Sequence, residues 1–105
     1  RSSAWKVGMA NDYLNKATDN VNLEIQTART SLAQAIKQVE FTGSSLEKAR
    51  ENEQKALERY EEGKISIMEV IEAQNYRQAS QINYVQAKVS AQSSYSGLIK
   101  ALHSY

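Results

Sequence analysis

Chemistry at a protein site needs convergent nucleophiles, acids, bases or metal ligands, and this 105-residue chain holds few of them. Its single histidine is His103, so imidazole catalysis would rest on one residue near the C-terminus. There is no cysteine, which excludes disulfides and thiolate metal sites. Glu51, Glu53 and Glu58 have no histidine partners at the spacing a di-metal carboxylate site requires. An enzyme built on a helical bundle would need such partners, so the sequence reads as non-catalytic, with no cofactor and no metal. From Glu61 onward the acids are Glu61, Glu62, Glu69 and Glu72, followed only by the basic residues Arg77, Lys88 and Lys100. Glu69 and Glu72, three apart, share one face of a helix.

The elements that position these residues follow from composition and period. A formal charge of +1 leaves no electrostatic footprint for nucleic acid. No apolar run approaches the roughly 18 residues of a membrane span. The chain opens on Arg1 rather than methionine, from which the expectation is an excised or processed piece. Leu, Ile, Val and Phe make up 21 of the 105 residues, too few for a thick globular core. Alanine contributes 13 more, which suits thin helix–helix seams. Trp5 reads as a packing residue. Proline is absent, so nothing forces a helix to stop.

Apolar residues recur at helical rather than strand spacing. Ala4, Val7, Asn11, Leu14, Thr18, Val21, Ile25, Ala28, Leu32, Ala35, Val39, Thr42, Leu46, Ala49, Glu53, Ala56 and Tyr60 step by three and four without a slip. A heptad sustained this long implies a coiled-coil-like helix. Gly43, with Ser44 and Glu47 in capping-box spacing, admits an alternative, a three-helix bundle broken near Gly43. The heptad phase passes through that stretch unshifted, and a glycine inside a helix costs only about 1 kcal/mol, which favours continuity.

The second interruption carries several stop and start signals. Gly63 stands where a left-handed residue ends a helix. Ser66 and Glu69 form a capping box, with Ile65 and Val70 at the two hydrophobic-staple positions. Beyond the turn, one seam runs Val70, Ala73, Arg77, Ser80, Tyr84, Ala87, Ala91, Ser94, Leu98, Ala101, Tyr105. A second runs Ile71, Gln78, Ile82, Val85, Val89, Gln92, Ile99. Two seams on one helix call for neighbours on both sides. The expected fold is all-α: one long antiparallel two-helix coiled-coil hairpin over residues 1–105. Helix one spans about 3–62, the tip turn 63–66 and helix two about 67–104.

The stretch from Ala56 to Gln74, ALERYEEGKISIMEVIEAQ, resembles the periplasmic tip of the TolC-like outer membrane efflux proteins. The residues that carry the likeness are Tyr60, Gly63, Ser66, Glu69, Val70, Ile71, Ala73 and Gln74. It extends over about residues 20–102, and residues 1–20 fit only as an extension of the same helix. The Ala73-Gln74 pair and the Tyr/Ala-rich return look more like the C-terminal of the family's two hairpins.

The resemblance implies a periplasmic tunnel hairpin of a trimeric outer membrane channel for multidrug efflux or type I secretion. Its partners would be a periplasmic adaptor (membrane fusion) protein at the tip, the other subunits of a homotrimer and, indirectly, an inner membrane pump. By the same likeness Tyr60, Gly63, Lys64, Ile65 and Ser66 form the adaptor-docking tip, with Tyr60 helping to hold the closed state. Glu69 and Glu72 match acids of the pore mouth, where three copies would make a cation-favouring ring. Some members carry a gating arginine at the position of Ile65, and the acids here are glutamates rather than aspartates. Nearer readings stand beside these. Glu69 serves as a capping residue, Glu72 as a solvated charge, Tyr60 as core and Gly63 as a helix cap. On those readings the chain is a generic antiparallel coiled-coil scaffold or adaptor hairpin without a conduit role.

Overall fold

The computed structural model describes the backbone of residues 2–104 and the side chains of 13–104. The side chains of Ala4, Trp5, Val7 and Asn11, and all of Tyr105, lie outside the described residues. Two helices make up the fold: α1 (Ser2–Glu61, 60 residues) and α2 (Ile67–His103, 37 residues). They pack antiparallel into a hairpin of 92 × 18 × 15 Å, the all-α hairpin expected from the heptads. Helix α1 runs unbroken through Gly43, so the three-helix alternative does not form.

The heptad predicts the buried face residue by residue. From Val21 to Ala56 every seam position of α1 is at least half-buried, and only Gly43, Ser45 and Leu57 join them. On α2 every position of the first seam from Val70 to Ala101 is likewise shielded. The best-buried residues, Thr42, Leu46, Ala49, Val70, Ala73, Ser80 and Ala87, lie in the tip-proximal part of the seam. Most are small, so the core is thin and long rather than thick. Thr42 is tolerated there because its Oγ1 donates to the Gln38 carbonyl at 2.7 Å and the Val39 carbonyl at 3.2 Å. A buried hydroxyl satisfied by its own helix avoids the cost of an unpaired polar group.

Two contacts fix how the helices mate. Arg77 Nε donates to Glu53 Oε2 at 2.6 Å, and Arg77 Nη1 to Gln81 Oε1 at 2.9 Å. Both partners of that ion pair are polar interruptions of their seams, and each answers the other. Tyr84, a large seam residue of α2, is accommodated at Gly43. A Cβ built there would come 3.1 Å from Tyr84 Cε1. The ammonium of Lys88 lies 4.6 Å from the centroid of the same ring, in cation–π reach. The glycine that looked like a breaker is therefore a recess for a facing aromatic ring.

The seam of α1 outlasts its partner. Tyr13 is 75% exposed and Leu14 60%, and Thr18 is also exposed. The heptad continues there, but α2 ends at His103 and no helix among the described residues covers it.

The Gly43–Tyr84 contact gives a double-mutant cycle. In a Tyr84→Ala background, Gly43→Ala should raise stability by about 1 kcal/mol, the helix-propensity difference. With Tyr84 present that gain should shrink or reverse, because the methyl group meets the ring. Thermal unfolding of the four proteins measures the coupling, and equal effects in both backgrounds would remove the recess.

Candidate functional site

The first candidate region is the tip. The Gly63 N–H donates to the Tyr60 carbonyl at 2.9 Å and the Lys64 N–H to the Arg59 carbonyl at 2.8 Å. With Gly63 at φ +75°, these are the two bonds of a Schellman motif, which satisfies carbonyls left over at the end of α1. A Cβ at Gly63 would meet nothing within 4 Å, so the backbone angle, not crowding, selects glycine here. The same open space leaves the tip backbone accessible.

Ser66 occupies the N-cap of α2 with φ −81° and ψ 161°, but its side chain makes no capping hydrogen bond. Neither side-chain bond of the capping box expected from the sequence forms, although Ser66 does hold the N-cap position. The Glu69 N–H, which the hydroxyl would have received, instead donates to the Ser66 backbone carbonyl at 3.2 Å. Glu69 still lies in the first turn of α2, where the helix dipole favours a carboxylate. Of the staple pair, Ile65 is half-buried and Val70 is 2% exposed.

The structure brings Tyr60, Gly63, Lys64 and Ser66 together as an exposed cap, with Tyr60 43% exposed rather than buried in the seam. Lys64 Nζ is 2.7 Å from Glu62 Oε2, an exposed pair of small energetic weight. Glu69 and Glu72 are exposed along one groove of about 470 Å³, shared with Lys55, Arg59 and Tyr76. Lys55 and Arg59 escaped the sequence reading because their nearness to the acids depends on how far α1 and α2 are offset. Among the described residues no cluster of His, Cys, Asp or Glu is arranged to hold a metal ion, and His103 is exposed. No helix there is long and apolar enough to cross a membrane.

The second region is the outer face of α2. Met68, Ile71, Ile82, Val85 and Val89 are 40–61% exposed. They lie about 150° around the helix from the buried seam, given 3.6 residues per turn. Asn75 and Gln78 between them, and Gln92, Ser96 and the half-buried Ile99 beyond Val89, complete this stripe, so not one of its residues is charged. The corresponding outer face of α1 is the opposite in character. It exposes Glu40, Glu47, Glu51, Glu58 and Glu61, with Lys37 and Leu23 among them. One side of the hairpin is built for water and the other is not.

Compared with protein-family models, curated proteins and solved structures, the chain finds no match in any of the three.

Because Gly63 is required by its backbone angle, Gly63→Ala should lower stability by roughly 1–2 kcal/mol, the cost of a left-handed L-residue. Gly63→Asn should cost less, since asparagine tolerates that region better. Chemical denaturation of the three proteins tests this, and an unchanged midpoint for alanine would mean that the turn has other conformations at equal energy.

Proposed function

We propose that the chain is a tunnel hairpin of a TolC-like outer membrane channel, its tip turned toward a periplasmic adaptor protein. What supports this most is the uncharged apolar stripe on α2, opposite the face already packed on α1. A helix with apolar residues on both faces is made to stand between two neighbours. A stave in a ring of helices has such neighbours, whereas a free-standing hairpin needs only one seam per helix. The open, glycine-built tip supports the docking role, because a partner's backbone can come close where no side chain projects. On this reading the homotrimer belongs to the full-length parent, the location is the periplasm, and the inner membrane pump is met only through the adaptor.

A generic coiled-coil scaffold is the second reading, and the groove at Glu69 and Glu72 favours it. Lys55 and Arg59 line the same groove, so the two acids need no pore to explain them.

Transport separates the two. In the full-length parent, Gly63→Trp should abolish efflux while the trimer still assembles, as read by accumulation of a fluorescent substrate and by cross-linking. Efflux at the parental level with adaptor binding intact would sink the docking assignment. The double variant Glu69→Gln, Glu72→Gln should weaken block of the pore by multivalent cations in bilayer recordings. Unchanged block would return both residues to the role of surface charges.

A further inference from the structure

We propose that the 105-residue chain, on its own, pairs with a second copy of itself through the outer stripes of two α2 helices lying antiparallel. This goes beyond the tunnel reading, because it concerns the chain without neighbouring staves. Two independent features of α2 select this occupant and this direction.

The first is a two-fold pattern in the stripe. Ile82 and Val85 stand at its middle, Met68 and Ile99 at its ends, and the amides Asn75 and Gln92 between. When a second α2 is reversed so that Ile82 faces Val85, Met68 faces Ile99 and Asn75 faces Gln92. Apolar layers then meet apolar layers at the centre and both ends, and the two amides can exchange hydrogen bonds. The two remaining layers pair an apolar side chain with an uncharged polar one. A surface that matches itself on reversal is what an isologous two-fold interface requires. A parallel pair with every residue facing its own copy would stack Asn75 on Asn75 and Gln92 on Gln92. It would also leave the charges below unanswered.

The second feature is charge polarity. Glu72 flanks the stripe near the N-terminal end of α2 and Lys100 flanks it near the C-terminal end, with no acid after Glu72. Reversal brings the acidic end of one helix beside the basic end of the other and opposes the two helix dipoles. The outer face of α1, with its five glutamates, offers no such surface.

The test uses sedimentation equilibrium of the chain together with spin-label distances. No cysteine is present, so a single introduced one is unique. A two-fold dimer is expected. Val85→Glu should weaken it by about tenfold or more, because a charge would be buried at the centre. Ser44→Glu, on the outer face of α1, should leave it unchanged. Helicity by circular dichroism should stay the same in both. In the proposed register Ser66 lies opposite Ala101 of the second copy, so labels at Ser66→Cys should sit roughly 50 Å apart at ~1.5 Å per residue. Labels at Gln86→Cys, near the two-fold axis, should be close. Short distances at both positions mean a parallel pair and overturn the proposal. A monomer also overturns it and leaves the tunnel reading to the transport assay. A trimer with its Ser66 labels together overturns it while favouring the tunnel, since staves of one tunnel point their tips the same way.

Discussion

Everything in this molecule rests on one narrow seam between two long helices. The seam is lined by alanine, aliphatics, serine and threonine, and its best-buried apolar members are Leu46, Ala49, Val70, Ala73 and Ala87. Small side chains bury little apolar area each, so the seam must be long to hold. That requirement explains the unbroken heptad and the absence of proline. It also explains why polar interruptions are matched in pairs or satisfied locally. Glu53 meets Arg77 across the seam, and Thr42 returns its hydroxyl to its own helix. A single unmatched polar group would be a large loss in a core this thin.

The same seam decides where the rest of the surface points. Once α1 and α2 commit one face to each other, their backs are fixed. The back of α1 is acidic, and the back of α2 is uncharged and exposes Met68, Ile71, Ile82, Val85 and Val89 among uncharged polar residues. The asymmetry belongs to the hairpin as a whole, and it makes α2 the helix that seeks a further neighbour. The tip sits where the seam ends, and its Schellman motif turns the chain with backbone hydrogen bonds alone. Side chains at the tip are therefore free of the task of making the turn, Ser66 included. That freedom leaves an exposed tip, with bare backbone at Gly63, available for contact.

Much of this was legible in the residues because helix periodicity is a local property. Which face of each helix is apolar, and where α1 stops, follow from three- and four-residue steps and from Gly63. The second stripe of α2 was visible in the same way, as Ile71, Ile82, Val85 and Val89. Gly43 was ambiguous because a helical glycine and a turn glycine look alike in sequence. Its role needed Tyr84, 41 positions away, to be placed against it. Ser66 was placed correctly at the N-cap, but its capping box with Glu69 was misread for a related reason. A capping box names which groups can bond, but the backbone angles at the turn select which acceptor takes the Glu69 N–H.

Two helices, their shared phase, the tip and the charge polarity of α2 are all written in short-range spacing and can be read along the chain. The offset between the helices is a matter of long-range packing. That offset pairs Arg77 with Glu53, seats Tyr84 over Gly43 and puts Lys55 and Arg59 beside Glu69 and Glu72. It also leaves Leu14 and Thr18 uncovered beyond the end of α2. A heptad repeats every seven residues and so permits many offsets. The short turn between Glu61 and Ile67 narrows that choice, and the ring, the recess and the ion pair fit the offset observed.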